Sequence, residues 1–285
     1  MNDPWIGVDI GGTKIAVGLI NDSGEVLAHS QCPTPQGGEA IADSVAQLLG
    51  AFTADRPGAV VGVAVPGYVS TDHRTVANAA NLELADTHLA ELIEDRIRVN
   101  TVVVNDANAA LWAEYRFGAA RRVQDVVMVT VGTGIGGGLL VNGQLVSGAH
   151  GFAGEVGHMV VAPGGRPCGC GSRGCLDRYA SGTALGHPIH SEADFAEIGR
   201  WLGVGLSQVV MLLDPGVILL GGGVSAAGTA LTVPTQQTLN ALLAEHGRET
   251  APPVRVAQLG PDAGFIGAAA YAADHVAARD QHPAL

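Results

Sequence analysis

A unit of strand, glycine turn and strand occurs twice in this chain and limits the folds that are open to it. Residues 6–10 alternate with the period of a strand, Gly11 and Gly12 turn the chain, and residues 15–20 form a second strand. The same order returns at residues 126–131, 132–136 and 138–141. Two such units, about 120 residues apart, predict an internal duplication.

Helical and strand patterns follow each unit. An apolar face with helical spacing covers residues 41–52, and helices are also predicted at 107–118, 195–213 and 264–279. Short apolar runs at 59–65, 101–104 and 217–220 are typical of buried strands. This alternation predicts an α/β fold with two similar lobes around a central cleft. We expect a small lobe of residues 1–105 plus about 264–285, and a large lobe of residues 106–263.

Composition excludes several classes of partner. The net charge is -12 and no block of basic residues stands out, which argues against a nucleic-acid partner. Neither a signal peptide nor an apolar run of membrane length is evident, so no membrane partner is expected. Only Cys32 lies outside one cysteine-rich loop, which argues against a disulfide framework. We therefore expect a cytoplasmic protein with reduced thiols.

That loop carries Cys168, Cys170 and Cys175, and His158 lies ten residues before the first of them. Three thiolates and one imidazole form a closed tetrahedral ligand set, as in structural zinc sites. Four protein ligands leave no open position, so the predicted Zn²⁺ is structural and not catalytic.

The first glycine turn joins two strands through Asp9, Gly11, Gly12, Thr13 and Lys14. Free backbone N–H groups in such a turn can hold phosphate oxygens, with the Thr13 hydroxyl beside them and Asp9 holding Mg²⁺ through water. The alternative is an ordinary hairpin turn. The second glycine turn favours phosphate binding, because two turns facing one cleft can hold successive phosphates.

The second glycine turn and a later glycine pair each allow more than one interpretation. The second turn fits the dinucleotide pattern G-x-G-x-x-G, but a strand follows where that fingerprint requires a helix. Gly222 and Gly223 follow a buried strand and form either a flexible loop or a surface for a planar base.

Asp106 ends a buried strand and begins a helix, where α/β sheets place reactive groups. It is either a helix cap or a general base that takes a proton from an attacking hydroxyl. Glu155 and His158 lie three residues apart and share a face if that segment is helical. The ring nitrogen of His158 that faces away from a metal could donate to a sugar hydroxyl. The alternative is a solvated Glu155 beside a purely structural His158.

Together these motifs resemble the ROK family of sugar kinases, which also includes transcriptional repressors. The resemblance covers nearly the whole chain, and its cysteine loop is the most specific part. It implies an actin-like ATPase (ribonuclease H-like) fold, ATP as phosphoryl donor with Mg²⁺, and a hexose bound beside the zinc loop. A homodimer or homotetramer is expected by the same analogy. No repressor-type helix-turn-helix is expected, because the first strand starts at about Trp5.

The resemblance also implies roles for individual residues. Asp106 would deprotonate the sugar hydroxyl, and the other sugar hydroxyls would be held by Asn81, Asn105, Glu155, His158 and Asp177. The nucleotide would be held at Asp9, Gly11, Gly12, Thr13, Lys14, Thr133 and Gly134, with its adenosine at Gly222 and Gly223.

Two departures from the family pattern stand out. Asp177 replaces the usual glutamate, which is one methylene longer. The segment between Leu185 and Gly199 is short, so either the protein is trimmed there or a stretch is missing from the chain.

The expected activity is ATP-dependent phosphorylation of glucose to glucose 6-phosphate. The residues leave open a kinase for N-acetylmannosamine, N-acetylglucosamine, mannose or fructose, polyphosphate as the donor, and a sugar sensor that has lost catalysis.

Overall fold

The computed structural model describes residues 4–54, 56 and 58–281. The chain divides into two compact units. The first comprises Met1–Gly118, Ser147–Phe152 and Asp262–Leu285, and the second comprises Ala119–Val146 and Ala153–Pro261.

Strands and helices alternate in both units. The first unit contains β1 (Trp5–Ile10), β2 (Lys14–Ile20), β3 (Val26–Pro33), α1 (Gly38–Thr53), β4 (Ala59–Val65), β5 (Tyr68–Val69), β6 (Val76–Ala79), β7 (Leu84–Thr87), α2 (Leu89–Glu94), β8 (Val99–Asn105) and α3 (Asp106–Arg116). The second contains β9 (Val126–Val131), β10 (Ile135–Val141), β11 (Gln144–Leu145), α4 (Asp177–Ala180), α5 (Glu192–Leu213), β12 (Val217–Gly221), α6 (Thr229–Glu245) and β13 (Val254–Val256). Helix α7 (Ala263–Gln281) returns to the first unit.

The main sheets of the two units have the same topology. Their strand orders are β3-β2-β1-β4-β8 and β11-β10-β9-β12-β13. In each sheet the first strand pairs antiparallel with the second across a glycine turn, and parallel strands follow on its other side. The predicted duplication is therefore confirmed. A small antiparallel sheet, β5-β6-β7, is added to the first unit.

Helix α7 packs closely on the main sheet of the first unit because glycines face it. A side-chain carbon built on Gly7 would lie 1.9 Å from the Phe265 carbonyl oxygen, and one on Gly62 would lie 1.8 Å from that of Ala268. Gly267 of α7 meets α3 equally closely, at the Ala109 carbonyl oxygen. This contact keeps α3 in the first unit. The amino-terminal segment of that unit therefore extends to Gly118, beyond residue 105, where we expected the boundary from sequence.

Helix α5 is the central helix of the second unit. It begins with a capping box in which Ser191 and Asp194 each accept a hydrogen bond from the other's backbone N–H. Its Gly203 lies against Thr238 of α6 and its Gly205 against Leu176. By length and composition α5 could cross a membrane, which amends the expectation that no apolar run is long enough. Its buried face belongs to the apolar core of this unit.

Candidate functional site

Two acidic residues lie at the carboxyl edge of the first sheet, where its parallel strands end. Asp9 is near the end of β1, and Asp106 follows β8 as the first residue of α3. Burial, followed by the nearby charge of Asp106, raises the pKa of Asp9 to about 7. Burial also raises the pKa of Asp106 above its usual range. The two carboxyl groups therefore interact, and this edge disfavours two unscreened negative charges.

The N-cap of α3 is Asn105, and Asp106 is the first residue of the helix. The Asn105 Oδ1 accepts from the Asn108 N–H at 3.1 Å, and its Nδ2 donates to the Gly67 carbonyl at 2.9 Å. One oxygen of Asp106, Oδ1, accepts from the Ala107 N–H at 2.8 Å. Asn105 therefore occupies the N-cap position, and Asp106 also binds an N–H of the first turn, so its role as a general base stays a prediction. One amide hydrogen of Asn105 stays outside these contacts.

The first glycine turn is braced by a threonine that the sequence did not indicate. The Thr34 hydroxyl donates to the Gly11 carbonyl at 2.7 Å, and the Thr34 N–H donates to the Thr13 carbonyl at 3.1 Å. A side-chain carbon built on Gly12 would lie 3.5 Å from Nδ2 of Asn81. The structure therefore brings Asn81 to this turn, although the two segments are far apart in sequence.

The predicted metal ligands of the second unit converge. One ligand atom from each of four residues lies within 4.8 Å of the other three: His158, Cys168, Cys170 and Cys175. The Cys170 and Cys175 sulfurs are 3.7 Å apart. Burial raises the pKa of Cys175 to about 12, whereas hydrogen bonds, first that of the Ser172 N–H, lower the pKa of Cys170. These four residues could hold a metal ion.

Glu155 lies beside His158, with a short 3₁₀ helix, Val156–His158, beginning immediately after it. The His158 Nε2 and a Glu155 carboxylate oxygen are 3.9 Å apart. Nδ1 of the same ring faces the Cys168 sulfur at 3.7 Å. Glu155 and His158 therefore lie close together, as predicted. One ring nitrogen of His158 faces Cys168 and the other faces Glu155.

The second glycine turn, between β9 and β10, is held by residues that follow the cysteine loop. Asp177 Oδ1 accepts from the Ile135 N–H at 2.9 Å. The Gly182 N–H donates to the Gly132 carbonyl at 2.6 Å, and the Thr183 hydroxyl donates to the Thr133 carbonyl at 3.0 Å. The sequence did not single out Thr183.

Gly222 lies against the same end of β9. Its φ is 80°, and a side-chain carbon built on it would lie 2.5 Å from the Val131 carbonyl oxygen. The Ser225 hydroxyl donates to the Gly222 carbonyl at 2.7 Å and fixes the following turn. Gly223 has open space where a side chain would be. The residues predicted to face adenosine therefore lie near the second glycine turn.

The predicted residues thus form groups within each unit. The first unit brings together Asp9, Gly11, Gly12, Thr13, Lys14, Asn81, Asn105 and Asp106. The second brings Glu155 to the metal ligands, and Asp177, Gly222 and Gly223 to the turn that contains Thr133 and Gly134. Their roles in binding and catalysis stay predictions.

Comparison with known proteins identifies relatives along the whole chain. Residues 5–198 and 188–275 match the ROK family model, and the two matches overlap at residues 188–198, around the start of α5. A glucokinase of Streptomyces coelicolor is 35% identical over an aligned length of 304, gaps included, and the alignment covers 93% of this chain and 96% of the relative. An N-acetylmannosamine kinase of Yersinia pestis is 35% identical over an aligned length of 293, gaps included, and the alignment covers 94% of this chain and 97% of the relative.

A solved structure is similar over nearly its full length. It is a ROK family glucokinase from Streptomyces griseus in complex with glucose and AMPPNP, with a TM-score of 0.86 and 34% identity. The match covers 95% of this chain and 99% of that chain. The fold is the actin-like ATPase fold with two lobes. With this fold and these relatives, the chain belongs to the ROK family.

Proposed function

We propose that this protein is a sugar kinase that transfers the terminal phosphate of ATP to the 6-hydroxyl of glucose. The similar Streptomyces proteins are glucokinases, and one was solved with glucose and an ATP analogue. Full-length coverage at this identity supports the same reaction class here.

The observation that carries the proposal is the placement of Asp106. It is the first residue of α3 at the carboxyl edge of the sheet, with Asn105 as the cap and Oδ1 on the Ala107 N–H. Burial raises the pKa of this carboxyl toward the range of a useful general base. Asp106 takes the hydroxyl proton while the sugar oxygen bonds to the γ-phosphorus, and the bond from that phosphorus to ADP breaks.

Backbone groups of the two glycine turns hold the phosphates in this proposal. In the first turn these are Gly11, Gly12 and Thr13, and in the second turn Thr133 and Gly134. Lys14 is at the end of the first turn, and Gly222 and Gly223 face the adenosine. Asp9 fits Mg²⁺ bound through water, and this ion would neutralise phosphate charge during transfer.

Asn81, Asn105, Glu155 and His158 hold sugar hydroxyls in the same proposal. The Asn105 amide hydrogen that is outside the cap and the Gly67 contact is one donor. His158 presents Nε2 on the Glu155 side of the ring.

Zinc is the metal that best suits the four clustered ligands. Tetrahedral Zn–S bonds of about 2.3 Å place sulfurs roughly 3.8 Å apart. The Cys170–Cys175 separation of 3.7 Å is close to that value. A bound cation would also keep the buried Cys175 sulfur deprotonated, against its raised pKa. With four protein ligands, the ion supports the loop and takes no part in the reaction.

A second candidate substrate is N-acetylmannosamine, because the Yersinia pestis relative is a kinase for that sugar at equal identity. The proposed sugar-binding side chains contact hydroxyls that glucose and amino sugars share. Discrimination therefore depends on the space around the 2-substituent.

A coupled assay of the wild-type protein with a panel of hexoses, each with ATP or polyphosphate, tests this function. Glucose with ATP should give the highest kcat/KM. Preference for N-acetylmannosamine would favour the second candidate substrate. Activity with polyphosphate and none with ATP would show that polyphosphate is the phosphoryl donor. Binding of a sugar without phosphorylation of any would overturn the kinase proposal in favour of a sensor.

We also propose a soluble, cytoplasmic protein, which the four cysteines, none of them in a disulfide, support. A homodimer or homotetramer stays a prediction that light scattering measures.

A further inference from the structure

We propose that Asp177 and Thr183 are positioning residues for the phosphate-binding backbone of the second glycine turn. The resemblance to the family implied instead a sugar-binding role for Asp177. This inference rests on one part of the proposed function, namely that the second glycine turn binds the nucleotide.

Three hydrogen bonds connect one short segment to this one turn. Asp177 accepts from the Ile135 N–H, Gly182 donates to the Gly132 carbonyl, and Thr183 donates to the Thr133 carbonyl. The turn also closes on itself, since the Gly132 N–H donates to the Gly134 carbonyl at 2.9 Å. Each peptide unit between Gly132 and Ile135 therefore has its carbonyl or its N–H group held by a hydrogen bond.

These contacts decide where the remaining N–H groups point. In a planar trans peptide the carbonyl and the following N–H point in opposite directions. The Gly132 and Thr133 carbonyls both point toward residues 182–183, so the N–H groups of Thr133 and Gly134 both point away from that segment. Two successive N–H groups on one side form a concave site suited to an anion. Preorganising it avoids the entropy of ordering a glycine turn when phosphate binds.

The segment that holds the turn is itself well fixed. Leu176 is buried and lies against Gly205 of α5. The Tyr179 ring packs on Trp201 with centroids 4.4 Å apart, and its hydroxyl accepts from the Arg166 N–H at 2.8 Å. Cys175, a predicted metal ligand, is two residues before Asp177. The metal loop and the phosphate turn thus share one rigid support.

Asp177 is oriented toward the turn by close packing. A side-chain carbon built on Gly134 would lie 3.1 Å from Asp177 Oδ1, and the same oxygen bonds the Ile135 N–H. One carboxylate oxygen is therefore occupied by the turn. Asp177 is one methylene shorter than the glutamate usual in the family, and its carboxylate binds the backbone of the turn.

The test uses two matched pairs of variants. Thr183→Val removes the hydroxyl and Thr183→Ser restores it, while Asp177→Ala removes the acceptor and Asp177→Asn keeps one. Titration calorimetry measures AMPPNP affinity without sugar and glucose affinity without nucleotide. Loss of one hydrogen bond should weaken AMPPNP binding about two- to tenfold in Thr183→Val and Asp177→Ala. Thr183→Ser and Asp177→Asn should retain most of the AMPPNP affinity, and glucose affinity should change less than AMPPNP affinity in all four.

Thr183 is exposed, so its variants should fold, and thermal unfolding checks all four. Unchanged AMPPNP affinity in Thr183→Val and Asp177→Ala would overturn the inference. A loss of glucose affinity alone in Asp177→Ala would also overturn it, because Asp177 would then bind the sugar. If the wild-type protein binds AMPPNP but phosphorylates no hexose, the proposed function fails while these affinities still decide the inference. A wild-type protein that binds no AMPPNP overturns both.

Discussion

The Nδ1 atom of His158 lies 3.7 Å from the sulfur of Cys168, so the opposite ring nitrogen faces Glu155. A ring that is bound at Nδ1 carries its proton on Nε2 and can act there only as a donor. With the proposed metal bound at Nδ1, the cysteine loop would fix both the orientation and the tautomer of a side chain proposed to bind sugar. This dependence of the sugar site on the loop can be measured.

Replacement of Cys168 by Ala should release the metal, lower the melting temperature and weaken glucose binding. The loss of one ligand opens the tetrahedral set, and His158 then loses its fixed orientation. Elemental analysis, thermal unfolding and glucose titration measure the three effects. Cys32→Ala is the matched control, because Cys32 is on β3 and outside the ligand set, and should retain the metal. Metal loss with unchanged glucose affinity would contradict this role.

Asp106→Asn should reduce kcat by about 10²–10⁴-fold and leave glucose binding detectable. The amide has nearly the same shape and can still accept from the Ala107 N–H, so the start of α3 is preserved. Steady-state kinetics and glucose titration separate the two effects. Turnover close to that of the wild type would show that another group accepts the proton.

Asp9 should make stability depend on pH near neutrality. Its pKa is about 7 in the folded protein, against 3.8 for an unperturbed aspartate, so the folded state binds more protons between these pH values. This group therefore lowers stability as pH rises through that window. Asp9→Asn resembles the protonated form, so its melting temperature should match the wild type near pH 4 and exceed it increasingly toward pH 8.

Thermal unfolding of both proteins from pH 4 to pH 8 measures this difference. A difference that stays constant with pH would show that Asp9 does not titrate in this range. Asp9→Asn should also bind Mg²⁺ and ATP more weakly, because a carboxylate has been removed from the phosphate turn.

Gly222→Ala should destabilise the protein by about 2 kcal/mol or more, since it adds left-handed strain and a close contact. The added carbon would lie 2.5 Å from the Val131 carbonyl oxygen. Gly223→Ala is the control for stability, with open space at the added carbon and an expected change of less than about 0.5 kcal/mol. Denaturant unfolding measures both, and equal losses would mean that the close approach at Gly222 relaxes.

The sequence predicted most strands of the main sheets because these strands are apolar runs of four residues or more, whereas the three-residue β13 was not predicted. The runs at residues 59–65 and 217–220 correspond to β4 and most of β12, and the alanine-rich end forms α7. The β5-β6-β7 sheet was not predicted, because its strands have two to four residues, too few for a clear alternation. Helix α6 was not predicted either, since Pro234 lies inside it.

Residue types in the candidate site were readable from motifs, but the contacts between them were not. Closely spaced cysteines indicate a metal loop by their spacing alone. The bond from Asp177 to Ile135 joins residues 42 positions apart, and nothing local in either segment indicates it. Which of the adjacent Asn105 and Asp106 side chains occupies the N-cap position of α3 depends on the backbone geometry there, which the two residue types do not indicate.

Helix α7 begins more than 140 residues after α3 ends, yet β1, β4 and α3 pack against it. During translation these three elements leave the ribosome before their helical partner exists. The first unit therefore cannot complete its packing, with Gly7 and Gly62 uncovered, until α7 emerges. Removal of α7 would consequently damage the packing of the elements that are made first.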